Sequence, residues 1–289
     1  MTTTTATPTQ TSRRQLWRKV SRNRLTLLGL FIIGVMVLAV VLAPWLAPYD
    51  PVQVEVASKL QPPSAQHWMG TDQYGRDVLA RIIYGTRYDL LIAVSAVALA
   101  AGVGTPLGMI AGYFGGRTEG VIMRCMDLLL VFPDILLAIT LAAVLGPSLS
   151  NAILAVSIIG IAGYARLAHS STLTARELMY VEAARAVGMS TPQIIRKAIL
   201  PNIVSPIMIR ATLGMGFAVL LAASLGFIGL GAQPPTPEWG AMINEGRTQI
   251  ISGAWWTSVF PGLAIVLLVT GFNLLGDGLR DIFDPRAAY

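Results

Sequence analysis

The chain has 289 residues, of which 54% are hydrophobic and only 12% charged, with a net charge of +6. Soluble domains carry about 25% charged residues, so this sequence cannot cover itself with a wetted surface, and much of it must face lipid. In such a chain a basic balance reads as orientation in a membrane, since Lys and Arg stay on the cytoplasmic side, and not as a nucleic-acid site. The single cysteine, Cys125, allows no intrachain disulfide. With the distant His67 and His169 it makes no familiar metal-ligand spacing.

Residues 1–10 form a Thr-rich tail of low complexity with no reason to fold. The segment "RRQLWRKVSRNR" follows, with six basic residues and no acidic one. The next apolar run is longer than that of a cleavable signal peptide and ends in "APWLAPYDP", which predicts an uncleaved first span.

A bilayer-crossing helix needs about 20 mostly apolar residues. Six windows qualify, at 25–47, 88–113, 123–145, 151–168, 204–230 and 256–276. The expected fold is therefore an all-α polytopic membrane protein. With the N-terminus inside, 16 of the 21 basic residues fall on the cytoplasmic side, including all six between Arg166 and Arg210. That asymmetry favours cytoplasmic N- and C-termini.

Small residues recur every fourth position in the second span (Ala96, Ala100, Gly104, Gly108, Gly112, Gly116) and in the fifth (Gly214, Ala218, Ala222, Gly226). Such faces let backbones approach closely. The stripes fit packing inside one bundle or against a second membrane subunit. Asp127, Asp134, Asn151, Tyr164 and Asn273 fall near membrane depth. Intramembrane polar groups are functional candidates, although for the two aspartates, with Arg124 nearby, a structural ion pair or an interfacial position is favoured over a substrate contact.

Two outer segments look ordered. Residues 67–90 hold a turn at Met69-Gly70-Thr71-Asp72 and then an amphipathic stretch with Val78, Leu79, Ile82 and Ile83 apolar, which suits an interfacial helix. In residues 231–256, Pro234, Pro235 and Pro237 must stop the fifth helix, and Trp239, Trp255 and Trp256 suit an interfacial belt. Both read either as plain outer loops or as a platform for an outer partner or gate.

Between spans four and five lies "EAARAVGMSTPQIIRKAILPNI" (182–203), too polar to cross a bilayer. It reads as a helix, an elbow at Gly188, and a second helix with Ser190 as N-cap, Gln193 at the capping-box position and an end at Pro201. Ala183, Ala184, Val187 and Met189 offer a compact apolar knob for a groove on another protein. Arg185, Arg196 and Lys197 equally suit an amphipathic linker on an anionic leaflet.

The segment resembles the EAA loop of the membrane subunits of ABC importers. The E-A-A triplet is Glu182-Ala183-Ala184, the glycine after three further residues is Gly188, and the close is Ile199-Leu200-Pro201. "GTDQYGRDVLARIIYGTR", "GFIGLGAQPPTPEWGAMI" and "NLLGDGLRDIFDPR" resemble the dipeptide/oligopeptide/nickel permease family, in particular its second permease subunit. The likeness spans residues 25–286. It implies a type I importer permease fold with a cytoplasmic N-terminal tail over 1–24, an outer loop with an interfacial helix over 48–87, and a permease core over 88–277. The core would contain a coupling-helix loop over 169–203, and a C-terminal tail would cover 278–289.

The resemblance also implies that Glu182, Ala183, Ala184, Val187, Gly188 and Met189 dock on a cytoplasmic ATPase subunit. The implied partners are a second homologous permease, one or two ATPase subunits that bind ATP and Mg, an extracytoplasmic substrate-binding protein, and membrane lipid. The implied cargo is di- or oligopeptides, with nickel complexes, glutathione or other small solutes as alternatives. The implied location is a bacterial or archaeal inner membrane. Independently, none of the three lysines (Lys19, Lys59, Lys197) follows a glycine, so no phosphate-cradling G-x-x-x-x-G-K-[ST] loop is present. No catalytic constellation and no cofactor site are expected in this chain, which is read as non-enzymatic by itself. A membrane enzyme using Asp127 and Asp134, or an ATP-independent carrier or channel, are the readings from other classes.

Overall fold

The computed structural model describes residues 23–283. These residues are almost entirely helical, and no named strand occurs among them. Of the tails expected at 1–24 and 278–289, residues 1–22 and 284–289 lie outside the described residues, while residues 278–283 continue the last helix. In chain order the helices are α1 (Arg24–Val41), α2 (Ala43–Leu46), α3 (Val78–Phe114), α4 (Gly116–Val131), α5 (Asp134–Leu145), α6 (Leu149–Arg176), α7 (Met179–Ala186), α8 (Thr191–Ile194), α9 (Leu200–Phe227), α10 (Trp239–Gly246) and α11 (Trp256–Phe283).

Among the described residues five helical stretches are long and apolar enough to cross a membrane, or six when α4 and α5 count as one. The expected third span is the one that differs. It is broken by a bend of 92° between α4 and α5. Pro133 explains the break, because a proline disfavours helical geometry in the residue before it, and Phe132 is accordingly extended (ψ 139°). The expected interfacial helix also differs. Residues from Val78 onward are the first turns of one 37-residue helix that runs through the second span. Asp77 starts it by accepting from the Ala80 N–H at 2.7 Å.

The bundle is zipped along α3 and α6. A Cβ at Gly104, Gly108 or Gly112 would strike the Ile161, Ala165 or His169 carbonyl oxygen, respectively. The second-span stripe therefore packs inside the bundle, up to the end of α3; Gly116 lies beyond it in α4. The fifth-span stripe is internal too, with Gly214 against Tyr164 and Val97, and Gly226 against Glu238 and Ala241. Large residues turn the other way: Phe31, Val41, Val144 and Val266 are exposed, as suits a lipid-facing surface.

One end of the bundle is closed by a folded cap made of residues 47–77 and α10. Arg76 bonds Asp72 (2.6 Å) and Glu245 (2.5 Å), and Arg81 reaches Glu245 at 3.2 Å. His67 Nδ1 lies 2.9 Å from Asp77. The expected aromatic belt is only partly there. Trp255 is exposed, but Trp239 and Trp256 are buried, because their indole N–H groups find carbonyl partners inside the cap. Trp239 donates to Ile82 O at 3.2 Å, and Trp256 to Thr71 O at 3.0 Å.

Glu238 caps α10 by accepting from the Gly240 and Ala241 N–H groups at 2.7 and 2.8 Å, beside the buried Asp89. Burial pushes its carboxyl up to about 7, against those two hydrogen bonds, which act to lower it. A carboxyl raised in the folded state makes stability fall as pH rises from its ordinary value near 4.5 to about 7, and level off above.

Two outcomes follow for purified protein in detergent. Glu238→Gln should flatten the pH dependence of the thermal midpoint across that window; an unchanged slope would contradict the assignment. Gly108→Leu should destabilise by about 1–3 kcal/mol or more, because a side chain there forces α3 from α6. A wild-type midpoint for that variant would contradict the zipped seam.

Candidate functional site

The polar segment between α6 and α9 folds as a compact helix pair at the end of the bundle opposite the cap. Helix α7 carries two faces. Val181 and Ala184, three apart, are buried. Met179, Ala183 and Val187, four apart, form an exposed row, with Met179 85% and Val187 76% accessible. Glu182 is exposed beside that row.

The elbow is a Schellman turn. The Met189 N–H donates to Ala184 O at 3.1 Å, and the Gly188 N–H to Arg185 O at 3.0 Å. Gly188 has φ +77°, and nothing lies within 4 Å of the place a Cβ would take. Its glycine is thus required by backbone angle and not by space; an L side chain there costs roughly 1–2 kcal/mol. Ala184 and Met189, on either side of the elbow, pack into one apolar cluster, the contact that ordinarily accompanies this turn.

The second half starts with Ser190, whose N–H donates to Gln193 Oε1 at 3.0 Å, as the capping-box spacing predicts. The expected stop at Pro201 does not occur. A single π turn, Ile195–Ile199, widens the helix ahead of the proline, and the chain runs on into α9. Pro201 then sits in the first turn of α9, where a missing N–H is tolerated. The second helix of the pair and the fifth span are therefore one continuous rod from Thr191 to Phe227, with α7 set off from it by the elbow.

This pair is clamped to the bundle. Val181, Ala184, Ile194 and Ile199 are buried together with Met109 of α3, Ala168 of α6 and Ile203 of α9. Arg185 stacks over Tyr113, 5.4 Å from the ring centre. Arg176 Nη1 donates to Gly112 O at 2.8 Å. Of the six residues singled out from sequence, Glu182, Ala183, Val187 and Gly188 are exposed. Ala184 is 8% accessible and Met189 half-buried, so these two face the bundle and hold the others out. Met179 was missed, although its spacing of four from Ala183 puts it on the same helical face.

The polar candidates at membrane depth separate. Asp127 pairs with Arg166 at 2.5 Å, not with Arg124, and both are about half exposed. Asn151 Nδ2 donates to Leu145 O (2.7 Å) and Gly146 O (2.9 Å), tying the α5–α6 turn. Asn273 faces the Gly216 backbone. Asp134 and Tyr164 line a cavity of about 640 Å³ among α3, α6 and α9. Arg210 lines it as well. The basic-residue count had assigned Arg210 to the cytoplasm, yet it sits ten residues into α9, about 15 Å along the axis from Leu200. A lone arginine inside an apolar run was the signal available.

Comparison with known proteins matches this architecture. Residues 104–289 fit the model of the binding-protein-dependent transport system inner membrane component, and residues 11–63 fit the N-terminal transmembrane domain of oligopeptide transport permease C. The chain belongs to the binding-protein-dependent transport permeases, the membrane subunits of ABC importers. Within that class its relatives carry peptide-permease names. A dipeptide transport system permease of Alkalihalophilus pseudofirmus is 46% identical over 94% of this chain and 90% of its own length. A probable D,D-dipeptide permease of Escherichia coli K12 is 46% identical over 91% and 88%. A glutathione permease of Escherichia coli O6:K15:H31 is 43% identical over 94% and 90%. The inward-facing MetNI methionine ABC transporter shares the fold, with a TM-score of 0.57 at 19% identity, over 71% of this chain and 98% of that one.

If Ala184 and Met189 are the inward anchors of the elbow, Ala184→Arg should disrupt the helix pair. It should raise protease sensitivity between residues 179 and 203 by tenfold or so, while the cap keeps its protection. Equal protection of wild type and variant would contradict the inward assignment.

Proposed function

We propose that this permease forms, with a second homologous membrane subunit, the translocation pathway of an ATP-driven importer for di- and oligopeptides. The peptide assignment is supported by dipeptide-permease relatives at 46% identity over most of the chain. A γ-glutamyl tripeptide such as glutathione is the second reading, supported by relatives at 43%. An extracytoplasmic binding protein delivers the solute at the cap end. Cytoplasmic ATPase subunits, holding ATP and Mg, meet the helix-pair end. Both termini then face the cytoplasm, and the energy comes from outside this chain.

The observation that carries the coupling role is the exposed row Met179–Ala183–Val187 on a helix clamped to the bundle. Glu182, Ala183 and Val187 form the contact, with Met179 at its edge. Gly188, Ala184 and Met189 set the elbow that presents it. An apolar helical face of this kind seats in a groove of a partner. Because α8 leads without a break into α9 and the elbow at Gly188 ties α7 to α8, a displacement at Val187 is carried through that elbow into the membrane as movement of a rod. The two partner states must bind this face with different affinity, or nothing would shift.

Affinity purification in mild detergent should recover a second permease and one or two ATPases with ATP hydrolysis. In proteoliposomes, Val187→Asp and Gly188→Asp should each cut peptide uptake tenfold or more, with the thermal midpoint of Val187→Asp near wild type and Gly188→Asp losing no more than the roughly 1–2 kcal/mol of its backbone angle. Normal uptake by both variants at wild-type expression would sink the coupling role.

A further inference from the structure

The cavity among α3, α6 and α9 has walls of alanine, valine and isoleucine, yet three charged side chains reach it: Arg210, Arg280 and Asp134. Among the described residues no ion pair joins any of the three to a partner. Arg210 instead lies over the Tyr164 ring, 5.3 Å from its centre, ten residues into α9, with its side chain accessible from the cavity. Its guanidinium occupies the space that a Cβ on Gly163 would fill. That seat uses the aromatic face and an absent side chain to hold the cation, and leaves its donors without an acid. An unpaired arginine at this depth is costly, and such groups line solute pathways. Its planar fork of donors fits a carboxylate.

We propose that Arg210, seated on Tyr164 and Gly163, is a carboxylate-binding station of the translocation pathway. It receives the C-terminal carboxylate of a short peptide crossing the cavity. Two guanidinium groups against one carboxylate leave the cavity positive, so an anionic end is favoured, and Asp134 is the group available to the peptide's ammonium. This rests on the peptide reading above. The cation lies in the same rod that carries the helix pair, so movement of α9 shifts the station together with Val187.

The test uses the whole complex in proteoliposomes, with dialanine and its C-terminal amide as probes. Cys125, an exposed free cysteine, is first replaced by serine. Arg210→Ala should lower dialanine uptake per ATP hydrolysed about tenfold or more, with little change for the amide and with ATPase stimulation retained. Arg210→Cys should be equally impaired. It should recover on modification with aminoethyl methanethiosulfonate, which restores a cation, and not with the neutral methyl reagent. Undiminished dialanine uptake by Arg210→Ala would overturn the assignment. So would equal loss for both probes without cationic rescue, which marks a structural arginine. A wild-type complex that hydrolyses ATP but carries neither probe would overturn the peptide reading itself, and the station with it.

Discussion

In lipid, two helices gain nothing hydrophobic by meeting, so a bundle holds only where backbones come close enough for dispersion and polar contacts to act. Here that constraint is met along one seam. Gly104, Gly108 and Gly112 of α3 lie on the carbonyls of Ile161, Ala165 and His169 of α6, so a glycine every fourth residue meets a carbonyl every fourth residue. The seam leaves Tyr164 as the large side chain that must point elsewhere, over to α9, where it meets Arg210. The cavity and its cation are thus consequences of how α3 and α6 pack.

The two ends of the bundle are held by different forces. The cap uses buried ion pairs and indole hydrogen bonds, with Arg76, Arg81, Asp72 and Glu245 in one network. Its partners are fixed in place by direction as well as distance. The helix-pair end relies on a small apolar cluster and one stacked arginine. Its exposed row lies on α7, across the elbow from the helix that the π turn joins to α9. A rod clamped at its base and lined with a charge midway is suited to turn a push at Val187 into a change at the cavity.

Much of this was legible in the residue pattern. The spans follow from apolar length, and the elbow from Gly188, whose positive φ only glycine adopts at no cost. The capping box followed from Ser190 and Gln193. What failed depended on three-dimensional partners. Pro133 broke a span that hydropathy drew as continuous, because an apolar average is blind to the clash that holds Phe132 extended. Pro201 did not stop a helix, because a π turn absorbed it. Trp239 and Trp256 were read as interfacial from their type, yet carbonyls of the cap bury them. Ala184 was assigned to an exposed knob with its neighbours, while helical spacing turns it inward with Val181. Arg210 was counted with the cytoplasmic charges although it lies inside the apolar window 204–230, because a charge count along the sequence does not register depth along a helix.

The central claim is that the helix pair moves as part of the bundle. It is tested most directly by spin labels at Val187→Cys and Ser170→Cys in the assembled complex, with Cys125 replaced by serine, measured with and without a non-hydrolysable ATP analogue. A single distance distribution that nucleotide leaves unchanged is the expected result, with the Val187 label shifting relative to one placed on the partner permease. A nucleotide-dependent change in the Val187–Ser170 distance would show that the pair moves against α6, and would contradict its movement as part of the bundle.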